Sequence, residues 1–118
     1  MIKIAHVKEI ENLNLPKEVI EVIKEVVIIL DVEYGEKRNV NGENGGYILV
    51  IQDREELPKL QEIYLNINDV IPEYVDKINC SNGDIWISTL ILMHNDFGIL
   101  LTMPVSIAPE NLIKEITN

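Results

Sequence analysis

Between Pro16 and Gly35 the apolar positions follow a helical rhythm. Val19, Val22, Ile23, Val26, Val27 and Leu30 recur at i, i+3, i+4 and i+7, while Glu18, Glu21, Lys24 and Glu25 fall on the other side. The pattern predicts a long amphipathic helix. Pro16 suits the first turn, where its missing N–H costs nothing, and Gly35 suits the C-terminus. The β-branched run from Val26 to Ile29 favours a strand weakly, and the sustained periodicity outweighs it. Ile28 and Ile29 widen the apolar stripe, so burial on more than one side is expected.

Upstream, "MIKIAHVKEI" carries two patterns at once. Ile2 and Ile4 alternate with Lys3 as in a strand, whereas Ile4, Val7, Ile10 and Leu13 fit a helical stripe. The second pattern covers more residues, so a short helix after a frayed start is expected. Downstream, "YILVI" from Tyr47 is apolar on both faces, the pattern of a central strand covered on each side. Asp53 with Glu56 forms a capping-box signature, opening a short helix through Ile63 that Pro58 interrupts or restarts. "NINDVIPEY" carries turn chemistry and reads as a loop.

The remainder reads as strands. Residues 74–79 lead into "CSNGD", where Asn82-Gly83 is a strong reverse-turn signal. "IWISTLILM" sets Ile85, Ile87, Thr89, Ile91 and Met93 on one face and Trp86, Ser88, Leu90 and Leu92 on the other. "HNDFG" makes the next turn, "ILLTM" a third strand, and "APENLIKEI" a closing helix with Pro109 at its first position. The predicted fold class is α+β in a single domain, residues 1–118. Its sheet is antiparallel, of about four strands, with the long amphipathic helix packed on one face and short helices around it.

Charge narrows the function classes. The chain carries 20 acidic and 10 basic residues, a formal net charge of −10. Residues 60–113 hold seven acidic residues against Lys77 alone. A nucleic-acid backbone needs clustered Lys and Arg to displace counterions, and an anionic membrane surface has the same requirement, so direct binding to either is disfavoured. A basic protein partner, or plain solubility, fits the sign. A single cysteine, Cys80, excludes an intramolecular disulfide. "VVIIL" is far shorter than a membrane span, and the N-terminus lacks a signal-peptide pattern, so a cytoplasmic location is expected.

The glycines of "GENGGYILVI" raise the question of a ligand loop. A phosphate loop runs from strand to helix and ends in Lys-Ser or Lys-Thr; here a helix precedes, a strand follows, and that dipeptide is absent. Asn39, Asn41, Glu43 and Asn44 offer oxygen ligands, but no start position meets the EF-hand spacing. The bland reading is that Asn41-Gly42 and Gly45-Gly46 supply turn conformations that carry the chain from helix into strand. Arg38 could anchor the loop by an ion pair to Asp31 or Glu36, or recognise an anionic ligand. His6 and His94 belong to no metal-binding spacing, and Cys80 has no neighbouring cation or base to activate it. No residue is nominated for catalysis, cofactor binding or metal ligation. The candidate ligand or partner loop comprises Tyr34, Arg38, Glu43 and Tyr47.

Tyr34-Gly35, Arg38, Gly45-Gly46-Tyr47 with its apolar run, and the acidic helix start after it together resemble small proteins of prophages and other mobile elements in low-GC Gram-positive bacteria. Pro72-Glu73-Tyr74-Val75 and "NDFGILLTMP" echo the same pattern. That family brings no assigned activity, so the resemblance implies a genomic setting only. The function expected is a non-enzymatic accessory or protein-binding protein of the inhibitor or immunity type, with no cofactor. A small ligand-binding or enzymatic domain using the Tyr34–Tyr47 loop is the alternative. Self-association into a homodimer through the apolar strands remains open as well.

Overall fold

A computed structural model of the chain describes residues 1–40, 44–93 and 97–117. Strands β1 (Ile2–Ile4), β2 (Gly46–Val50), β3 (Tyr74–Asn79), β4 (Ile85–Leu92) and β5 (Gly98–Pro104) form one sheet in the order β1-β2-β5-β4-β3. Helices α1 (Lys17–Tyr34) and α2 (Glu110–Thr117) pack on it. The α+β class stands, while the sheet has five strands and is mixed: β2 runs parallel to β5, and the other neighbours are antiparallel. The hairpins β3–β4 and β4–β5 form the expected meander, whose last strand lies beside β2. Local pattern marks each strand, but this order depends on pairings far apart in sequence.

The fifth strand is the N-terminal one. A helix was expected from the longer stripe; instead Ile2, Lys3 and Ile4 pair antiparallel with Val50, Leu49 and Ile48, and a 3-10 turn follows at Val7–Ile10. Pairing with β2 satisfies backbone groups that a frayed helix would leave to solvent, and Ile4 is fully buried. The helical spacing survives in part, because Ile4 and Ile10 join the core under α1 with Leu13 packed against them.

Each sheet face has its own core. On one face Ile48, Val50, Trp86, Leu100 and Ile78 meet Val19, Ile23 and Val27 of α1. On the other, Tyr47, Leu49, Ile87, Ile99 and Leu101 meet Leu60, Leu65, Ile67 and Leu112. Alternate β2 residues therefore feed opposite cores, as a run apolar on both faces requires. Each fully buried aliphatic side chain of α1 contributes about 1.5–3 kcal/mol.

The second face is covered mainly by 3-10 turns at Arg54–Ile63 and Ile67–Asp69 and by α2. Pro58 sits inside the first of these, where it cannot donate to an α-helical ladder, so the segment stays a tighter helix. At its start the Glu56 carboxylate accepts from the N–H groups of Gln52 and Asp53, both at 3.2 Å. At its end Tyr64 takes a left-handed conformation, φ 62°. Asn111 of α2 donates to the carbonyls of Ile67 (3.0 Å) and Val70 (3.2 Å), fastening the helix to the loop between the 3-10 turn and β3.

The turn at Asn82-Gly83 forms as expected, with Gly83 at φ 93° and its N–H donating to Cys80 O at 3.0 Å. The expected turns at Asn41-Gly42 and at residues 94–96 lie outside the described residues.

Candidate functional site

The chain leaves α1 at Gly35 and turns back beneath the helix. Arg38 becomes fully buried there, the bulkiest of the fully buried side chains. Its Nη2 donates to Asp31 Oδ1 at 2.7 Å and to the carbonyl of Val27 at 3.1 Å. The last turn of α1 contains no basic residue and ends with Asp31 and Glu33, which the helix dipole disfavours. Arg38 supplies the missing cation from outside the helix. Its Nε and Nη1 are buried and have no hydrogen-bond partner among the described residues.

The two glycines after the loop have separate reasons. Gly46 sits at φ 106° against β5, and a Cβ there would run into the backbone of Gly98. Gly45 sits at φ 67°, with the Tyr34 ring packed where its Cβ would be. The glycines thus permit close approach of two backbones and of one ring.

Of the four nominated loop residues, Tyr34 and Arg38 lie at the C-terminal end of α1. Tyr47 joins the opposite core, its ring centroid 5.5 Å from that of Phe97. The sheet therefore separates Tyr47 from Arg38. Glu43 lies outside the described residues. Burial pushes the Tyr47 phenol up, as expected of a ring held within a core.

Other chemically active groups are dispersed. Cys80 is buried; desolvation, then the Glu18 and Asp84 carboxylates, push its thiol up, away from the nucleophilic thiolate. Among the described residues no group of three His, Cys, Asp or Glu side chains is placed to hold a metal ion. A depression of about 290 Å³ is lined by Leu57, Pro58, Gln61, Leu65, Asn66, Ile67 and Asn68, none of them ionisable. It offers shape and amide hydrogen bonds but no acid or base. Ser88 and Thr102 face each other across β4 and β5 in the buried sheet, and the Thr102 hydroxyl has no partner among the described residues.

The outward surface of α1 departs from the expected burial on more than one side. Ile28 and Ile29 are 47% and 57% exposed, and Val32 is 81% exposed. On the sheet, Tyr74 and Leu92 are each 55% exposed. Pairing of Tyr74 with Leu90, and alternation along β4 from Trp86, place both on the face that α1 covers. The signal was present in Glu18, Glu21, Glu25, Ile28 and Val32, which form a second stripe at alternating steps of three and four.

No family model matches this sequence, and no curated protein or solved structure gives a match to it. Among the described residues no helix is long and apolar enough to cross a membrane.

Proposed function

We propose that the chain is a non-enzymatic, partner-binding accessory protein of the inhibitor or immunity type, acting in a prophage or mobile-element setting. One observation carries the reading: large apolar side chains on α1 stand exposed in a chain of net charge −10. Exposed apolar residues gathered on one element are a feature of association surfaces, and strong negative charge steers a basic partner towards them. The mobile-element setting rests on the Tyr34-Gly35, Arg38 and Gly45-Gly46-Tyr47 resemblance alone.

The test is co-expression with the products of adjacent genes, followed by co-purification and an assay of the neighbour's activity with and without this protein. A stable complex that suppresses the neighbour's activity is the expected result. Turnover by the purified protein in a substrate panel, with no neighbour retained, would overturn it.

A small-anion reading of the Tyr34–Arg38 region has one support: Nε and Nη1 of Arg38 are buried with no hydrogen-bond partner among the described residues. Buried guanidinium N–H groups of this kind can donate to a carboxylate or phosphate oxygen. A thermal shift with inorganic phosphate, abolished by Arg38→Met, would establish this second reading over the first.

A further inference from the structure

Helix α1 has two stripes. Val19, Ile23 and Val27 are fully buried against the sheet. Glu18, Glu21, Glu25, Ile28 and Val32 form the other stripe, and Ile28 and Val32 stand exposed on it. Alternating steps of three and four are the spacing by which one helix receives another. Val22, Ile29 and Glu33 lie beside this stripe, on the flank shared with Glu18. The Glu18 carboxylate accepts from Ser81 N–H at 3.2 Å, which places that flank towards the end of β3.

Four glutamates and four apolar residues therefore make up a face with no Lys or Arg within it. Lys17 and Lys24 border it only on the far edge. Beyond the flank, the exposed Tyr74 and Leu92 extend the apolar ground onto the sheet, and Asp76, which alternation places on the same sheet face as Tyr74, adds a carboxylate.

We infer that this face is a docking site for a basic amphipathic helix of a partner protein. The proposal rests on the partner-binding reading above and adds the surface and the chemistry of what sits on it. Charge selects the occupant. A second copy of this chain would bring the same glutamates against these, and an anionic lipid surface would be repelled. A helix with Leu or Ile along one side and Lys or Arg flanking them meets the apolar positions and neutralises Glu21, Glu25 and Glu33. The stripe from Glu18 to Val32 matches a partner helix of about four turns.

The experiment uses the whole protein and a labelled probe peptide of about 18 residues. The probe is amphipathic, with Leu on one face and Lys on the other; a matched peptide carries Glu in place of Lys. Fluorescence anisotropy is expected to show binding of the Lys peptide only, weakening with salt. The double variant Glu21→Lys/Glu25→Lys, and separately Ile29→Ser, should each weaken binding roughly tenfold or more. The control Glu55→Lys/Glu62→Lys changes net charge equally, on the Arg54–Ile63 segment, and should leave binding close to wild type.

Absence of binding by the wild type overturns the inference, as does equal loss in both charge reversals, which would mean net charge alone attracts the peptide. Sedimentation showing a dimer that Ile29→Ser dissociates would overturn it in favour of a second copy. If the Glu55/Glu62 variant alone releases a neighbouring gene product, the partner-binding function stands and this surface falls.

Discussion

Burying Arg38 is costly, and the arrangement around it predicts an unusual order of mutant stabilities. The guanidinium is fully buried, while the side chain of its partner Asp31 retains 27% exposure. Asp31→Asn keeps the size and an acceptor but removes the one counter-charge that Arg38 has among the described residues. Breaking a buried pair on one side costs about 3–5 kcal/mol, and the part-solvated Asp31 side puts this case near the lower end. Arg38→Met removes the buried charge itself. It forfeits the charge-assisted bond to Asp31, about 1.5–3 kcal/mol, and the bond to Val27 O, about 1 kcal/mol. It also abolishes two buried donor nitrogens, Nε and Nη1, that have no partner among the described residues, each a penalty of about 1–3 kcal/mol, and leaves Asp31 able to hydrate.

The gains and losses nearly cancel, so Arg38→Met should lie within about 1.5 kcal/mol of wild type. Asp31→Asn should lose about 3 kcal/mol. Urea denaturation followed by circular dichroism reads both, with unchanged m-values as the check that only stability has moved. In the Arg38→Met background, Asp31→Asn should cost almost nothing, because the pair no longer exists. A result in which Arg38→Met is the more damaging single change would refute this reasoning. It would mean that Nε and Nη1 are satisfied in solution, by water or by an anion.

Gly46→Ala, which places a Cβ against the Gly98 backbone, should cost more than about 3 kcal/mol in the same assay; Gly35→Ala, with open space around it, should cost about 1 kcal/mol. Tyr64 is 94% exposed and left-handed, so Tyr64→Gly should stabilise by up to about 1 kcal/mol, raising the thermal midpoint. Desolvation opposes ionisation of Glu18, yet the hydrogen bonds from Ser81 hold its carboxyl below the ordinary 4.5, so its contribution is complete above that value and is lost as pH falls through the lowered one. Glu18→Gln should therefore flatten the acid limb of a stability–pH profile and leave its slope at neutral pH unchanged. Val32→Ala, on an exposed helix position, should raise stability by about 0.5 kcal/mol in thermal unfolding while weakening the Lys-peptide interaction.

Much of the architecture could be read from spacing alone. The α1 stripe, the two-faced β2 run, the Asn82-Gly83 turn and the alternation of β4 each express a local rule, and each recurs in the structure. The N-terminal strand could not be read this way, because three residues pair with β2 across some forty-five positions and local periodicity favoured the competing helix. The parallel β2–β5 contact is non-local for the same reason. Arg38 was visible as a residue needing a partner, and Asp31 was one of two named for it. Its complete burial was not visible, since nothing in a glycine-rich segment indicates that the chain folds back beneath its own helix.

Folding accounts for the inward residues of α1 but not for the outward ones. Helix propensity ranks Ile and Val below Ala, Glu and Lys, so Ile28, Ile29 and Val32 each weaken the helix by a few tenths of a kcal/mol. Their exposure means that little burial offsets the loss. Tyr64 and Ile71 are exposed too, at 94% and 89%, but they stand singly on irregular segments, which is ordinary for a protein surface. On α1 the apolar residues share a helical spacing with carboxylates, and the sheet face that α1 covers leaves Tyr74 and Leu92 exposed as well. A sequence consistent with its fold at nearly every other level departs from it on this one surface, and such departures belong at functional sites. Stability and partner binding should therefore move in opposite directions when these positions are changed, whereas at Val19, Ile23 and Val27 both should be lost together.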